Sequence, residues 1–174
     1  MPIPQFTAGQ VLTAAQLNAM VDAINAGGAV KVARFTTSGT WTVPAGVTYA
    51  VAHITAGGGG AGRASSGTGG TSSVAFASGT VSATGGAGLN HNRDVSTTTF
   101  AGAANSGYGA FYGALDGDGN NGLSGNAGNG AIIVAGAAVT PAASITVTVG
   151  AGGVAGTSGS AGGTGYVYIE YQGG

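Results

Sequence analysis

From residue 29 onward, apolar and polar side chains alternate in short runs with the period of β-strands. Residues 30–37, 40–43 and 47–55 are rich in β-branched and aromatic side chains, and 72–77, 80–83, 131–139, 144–149 and 165–171 continue the pattern. In 144–149, Ile145, Val147 and Val149 face one way and Thr146 and Thr148 the other, as in a strand with one buried face. In 165–171, Tyr166, Tyr168 and Glu170 lie opposite Val167, Ile169 and Tyr171. In 47–55, Val47, Tyr49, Val51 and His53 share one face and Ala50, Ala52 and Ile54 the other; both faces are apolar enough to predict a central strand. Pro44-Ala45-Gly46 marks a turn, since proline presets φ and glycine permits the reversal. Thr140-Pro141-Ala142-Ala143 has the length of a hairpin turn. The expectation is a mainly β fold, an antiparallel, sandwich-like domain spanning residues 29–174.

Residues 1–28 have a different period and form a separate attachment or oligomerisation segment. Leu17, Met20, Val21 and Ile24 recur at i, i+3, i+4 and i+7, the stripe of a short N-terminal α-helix. Thr13 and Gln16 are spaced as a capping box, Leu12 and Leu17 as a hydrophobic staple, and Gly27-Gly28 can end the helix. A single helix of about thirteen residues is marginal in water. The stripe therefore needs a partner: the rest of the chain, a bundle of copies, or a neighbouring protein.

Between the strands lie glycine-rich stretches. Glycines fall at 150, 153, 156, 159, 162 and 165, with a weaker echo at 119, 122, 125 and 128. A period of three matches a helix with three residues per turn and no internal hydrogen bonds. One edge of such a helix carries no side chains, so another backbone can approach, and its amides must pair with neighbouring chains or water. Collagen is disfavoured because the run is short and has no proline between 150 and 165. The prediction is polyglycine-II-like segments framed by strands. The run Gly57-Gly58-Gly59-Gly60 reads instead as a flexible loop.

Composition makes order the expectation. Glycine supplies 38 of 174 residues and charged residues only 5%, against about 25% charged in typical domains. Disorder requires low hydrophobicity and high net charge, whereas here 43% of residues are hydrophobic and the net charge is −1. Four scattered cations, Lys31, Arg34, Arg63 and Arg93, argue against nucleic-acid binding. No cysteine is present for disulfides or thiolate chemistry. Met1–Phe6 lacks the basic and apolar regions of a signal peptide, and 131–139 is too short to span a bilayer. Synthesis in a cytoplasm without membrane insertion is expected, with any release by another route such as lysis.

Candidate chemistry points to binding. His53 and His91 have no metal-ligand spacing and are read as structural. Asp116 and Asp118 are the one close carboxylate pair for glycosidase chemistry. The stretch 116–122 approaches a calcium loop but departs from it at Asn121 and Ala127, so a tight turn is the better reading and no metal or other cofactor is expected. No phosphate loop follows Gly57–Gly62. The chain is read as non-enzymatic. Tyr108, Phe111 and Tyr112, followed by Asp116, Asp118, Asn120 and Asn121, would suit a sugar: rings stack on its apolar face while amides and carboxylates bond its hydroxyls. The same aromatics could equally cap a core poor in large side chains.

The stretch 35–48, Phe-Thr-Thr-Ser-Gly-Thr-Trp-Thr-Val-Pro-Ala-Gly-Val-Thr, followed by a strand and a glycine tract, resembles the opening of bacteriophage glycine-rich tail-fibre domains. The closing pattern, 145–150, glycine repeats and then 165–171, is similar to the way such domains end, and 8–18 is similar to segments near the start of phage fibre proteins. The resemblance covers about half the chain and implies a virion appendage, a homotrimer or a monomer seated on a trimeric fibre. Its implied partners are other tail proteins and a host surface receptor, glycan or outer-membrane protein. Residues 60–130 match no pattern of that family and would hold receptor specificity. The alternative is a purely structural virion protein: a capsid decoration, head fibre or baseplate connector. An ice-binding protein would need a flat, regular threonine-rich face.

Overall fold

The computed structural model describes residues 13–15, 17, 18, 21, 29–62, 65–90, 97–115 and 121–173, with backbone alone for 97–100, 111–115 and 121–126. The strands in chain order are β1 (Val30–Phe35), β2 (Gly39–Thr42), β3 (Tyr49–Thr55), β4 (Ala61–Gly62), β5 (Ser72–Phe76), β6 (Gly79–Ala83), β7 (Leu89–Asn90), β8 (Thr97–Phe100), β9 (Phe111–Leu115), β10 (Asn121–Asn126), β11 (Ile132–Ala138), β12 (Ser144–Thr148) and β13 (Tyr166–Gln172). The fold is mainly β with antiparallel sheets. One four-stranded sheet has the order β1-β13-β3-β11 and a second the order β2-β12-β5-β6. β10-β9-β8 make a three-stranded sheet, and β4 and β7 a short parallel pair.

Every strand predicted from alternation is present, within two residues at each end. β3 is central, paired with β13 and β11. The connection at 140–143 is not a hairpin turn, because β11 and β12 belong to different sheets. It is fixed by the β2–β3 connection: Val43 N–H donates to the Ala143 carbonyl at 2.9 Å, and Ala142 N–H to the Val43 carbonyl at 2.9 Å. The short strands β4 and β7–β10 fall where glycine interrupts the alternation, and no strand was expected there.

One core cluster takes side chains from both four-stranded sheets. Ile54, Ile169 and Val167 from the first, and Val74 and Val147 from the second, are fully buried. Each such aliphatic side chain contributes about 1.5–3 kcal/mol by leaving water. Trp41 packs on Tyr171 with ring centroids 5.4 Å apart.

Beyond one edge of these sheets the glycine-rich segments pack as a bundle. The stretch 56–62 continues β3, and every residue in it is buried. Its amides turn through three directions in succession. Ala56 and Gly59 donate to 131 and 128, Gly57 and Gly60 to 70 and 67, and Gly58 and Ala61 to 163 and 160. Its carbonyls accept from three further segments: Gly57 and Gly60 from 86 and 89, Gly58 and Ala61 from 153 and 156, and Gly59 from 110. The six neighbours close a ring. Segment 65–71 bonds to 84–90 (Gly69 to Gly86, 2.8 Å), and 84–90 to 127–131 (Gly128 to Ala87, 2.8 Å). Segment 127–131 bonds to 107–110 (Gly130 to Gly107, 2.8 Å), and 107–110 to 159–165 (Gly163 to Tyr108, 2.9 Å). Segment 159–165 bonds to 149–156 (Gly162 to Gly153, 2.9 Å), which returns to 65–71 (Gly70 to Ala151, 2.7 Å).

The expectation of a flexible loop at Gly57–Gly60 is thus overturned. At each of residues 57–60 the side-chain direction points into a neighbouring backbone, so glycine is required there. A Cβ on any of the four would stand under 3.0 Å from a neighbouring carbonyl oxygen. A segment on the ring has an outward direction, which is why Ala151 and Val154 are exposed between glycines.

Near the N-terminus, Ala14, Ala15, Leu17, Asn18 and Val21 are helical, and Leu17 N–H donates to the Thr13 carbonyl at 3.1 Å. Leu17 is 51% and Val21 46% exposed, so about half of each residue is open to solvent. Met20 and Ile24 lie outside the described residues.

Candidate functional site

Strand register gives the molecule two poles. The strand ends at Thr55, Ile132 and Tyr166 are in register, as are Ser72 and Ala83, and each leads into the bundle. Val30 pairs with Gln172, the last residue of β13, so the chain enters β1 from residues 1–28 at the opposite end of the sheet. Phe111, Tyr112 and Asn121 lie on the β9–β10 hairpin, with Asn121 opposite Leu115 and Phe111 opposite Asn126. This hairpin continues from segments 107–110 and 127–131 at the pole remote from the sheets. Asp116, Asp118 and Asn120 lie outside the described residues, as does His91.

Tyr108 stands apart from that hairpin, on the flank of the bundle, and is 59% exposed. Its carbonyl accepts from Gly163 at 2.9 Å and its N–H donates to Ser106 Oγ at 3.1 Å, which fixes the backbone beneath the ring. Tyr108 borders a shallow depression of about 360 Å³ together with Asn105, Asn129 and Tyr166. Asn105 and Tyr166 also border an adjoining groove of about 520 Å³, which runs along β13 past Arg34, Tyr168 and Glu170. Asn105 and Tyr166 thus border both depressions.

Local packing holds these side chains in place. Asn105 has a φ of 55°, a left-handed conformation that asparagine tolerates. Its N–H donates to Thr164 Oγ1 at 2.9 Å, and its Oδ1 accepts from that hydroxyl at 3.3 Å. Asn129 Oδ1 accepts from Gly109 N–H at 2.9 Å. Both side-chain amides thus use their oxygens internally and keep their NH₂ groups as donors. His53 lies face to face with Tyr168, 4.2 Å between centroids and 10° between planes, and Tyr166 is parallel to Tyr168 within 6° at 6.2 Å. Glu170 places a carboxylate oxygen 3.4 Å from His53 Nε2. That contact is not a hydrogen bond, and the buried Nε2 has no hydrogen-bond partner.

Sequence reasoning found Tyr108 but not Arg34, Tyr166, Tyr168 or His53 as site residues. The signal was present, since Tyr166 and Tyr168 share a face and His53 occupies the outer face of its own strand. What joins them is the pairing of Arg34 with Tyr168 and of Tyr168 with His53. Among the described residues no cluster of three His, Asp or Glu could hold a metal ion. No protein-family model matches this chain, and no curated protein matches it either.

Proposed function

We propose that this chain is a component of a bacteriophage tail fibre or tail tip that contacts the host surface during adsorption. On this reading the seven-segment bundle is polyglycine-II-like, the two facing sheets form a sandwich, and a helix over the stripe Leu17, Met20, Val21 and Ile24 joins copies or a trimeric fibre. The observation that carries the reading is the two-pole layout. Residues 1–28 join the sheets at one end, and the β8–β10 excursion stands at the other. An adhesin needs attachment and contact surfaces separated in this way. A hydrogen-bonded bundle of glycine segments supplies a stiff spacer between them with few large side chains. The resemblance at 35–48 and 145–171 points the same way, and the reading includes no catalytic step.

The test is competition. Purified full-length chain, preincubated with host cells, is expected to slow adsorption of the phage that encodes it, and antibody against it is expected to label the distal tail. Label on the head or collar, with no competition, would replace this reading with the structural virion protein.

A further inference from the structure

We propose that the groove along Tyr166 and Tyr168 binds a carboxylated sugar, with Arg34 taking the carboxylate. The inference concerns what the flank of the domain binds and does not depend on where the protein sits in a virion.

The outer faces of the two four-stranded sheets differ in kind. The second presents hydroxyls, with Thr40, Thr42, Ser144, Thr146 and Thr148 all exposed. A face of that composition is satisfied by water. The first presents rings, aliphatic side chains and opposite charges. Tyr166 and Tyr168 edge the groove and are parallel within 6°, and Tyr108 and Tyr166 border the depression beside it. His53 covers one face of Tyr168 but does not border the groove, which runs on the β1 side of the ring row. Parallel rings held on edge in an open groove provide the apolar surface on which a pyranose ring lies.

The polar groups select the class of sugar. Arg34 is exposed and, among the described residues, has no ion pair. Its planar guanidinium fits a carboxylate through two parallel hydrogen bonds. The NH₂ groups of Asn105 and Asn129 add donors in the adjoining depression. Arg34 stands in register with Tyr168, partway along the groove. The acceptor, Glu170, lies two residues beyond Tyr168 on the same strand, roughly 6.6 Å along it. A single sugar ring spans that distance, with its carboxylate at Arg34 and a hydroxyl donating to Glu170.

The test is binding of the full-length chain to a glycan panel that pairs uronic- and nonulosonic-acid oligosaccharides with their carboxyl-reduced counterparts. At least one acidic member is expected to bind at least tenfold more tightly than its reduced form. Arg34→Gln should erase that preference while leaving the Trp41 emission and melting temperature unchanged, because the guanidinium supports nothing in the fold. Tyr166→Ala should weaken acidic and reduced forms together. Failure of every acidic glycan to bind, or a preference that survives Arg34→Gln, would overturn the proposal. Glycan binding by a chain that neither slows adsorption nor is labelled at the distal tail would overturn the tail-fibre reading alone.

Discussion

Gly59 and Ala87 are packed so closely that a Cβ at position 59 would stand under 3.0 Å from the Ala87 carbonyl oxygen. That oxygen accepts from Gly128 N–H at 2.8 Å, so it cannot swing away without breaking a bond of the ring. The relationship condenses the principle of the bundle: backbone lies against backbone, and hydrogen bonds take the place of side-chain packing.

Gly59→Ala is therefore expected to cost at least about 3 kcal/mol, at the upper end for overpacking, because no atom nearby is the tip of a flexible side chain. Ala151→Gly, on the exposed side of a ring segment, should cost well under that. Urea midpoints of the two variants, compared with the parent, check the contrast.

Ser72 is fully buried and joins three parts of the molecule. Its hydroxyl donates to the Thr55 carbonyl at 2.8 Å and accepts from Gly150 N–H at 2.9 Å. Ser72→Ala leaves that amide without a partner, and a loss of about 1–3 kcal/mol is expected from calorimetric melting.

Trp41, the one tryptophan of the chain, is 5% exposed and sits in the core cluster against Tyr171. Its emission should shift to the red in a single step on unfolding. Tyr171→Ala should lower the midpoint of that step by opening a cavity beside the indole, at a cost of about 3 kcal/mol or more.

Leu17 and Val21 expose their side chains along one helical stripe. If that stripe joins copies, Leu17→Asp with Val21→Asp should reduce the mass in solution to that of one chain, read by light scattering. An unchanged mass would remove the helix from assembly.

Tyr108 is exposed, so Tyr108→Ala should change stability by less than about 0.5 kcal/mol. Combined with Tyr112→Ala, it is expected to abolish attachment to host cells while the protein stays soluble. Normal attachment by the double variant would exclude this pair from the receptor surface.

Strand positions were legible because a buried face writes itself into the chain locally: Ile145 and Val147 are buried, while Thr146 and Thr148 are not. The candidate site was legible only in part. Tyr108 stood out as an aromatic in a polar, small-residue stretch. Tyr166, Tyr168 and His53 read as ordinary outward positions until cross-strand pairing placed them side by side.

The sequence by itself determined the mainly β class and the strands of the two larger sheets, since each is a pattern within a few consecutive residues. Only the tertiary structure decided which strands share a sheet, that 140–143 crosses between sheets, and that Gly57–Gly60 is the centre of the bundle rather than a loose loop. A glycine states only that no side chain is present. Whether the space is filled by water or by another backbone depends on partners such as Gly128 and Gly163, which lie far along the chain and leave no local mark at residues 58 and 59.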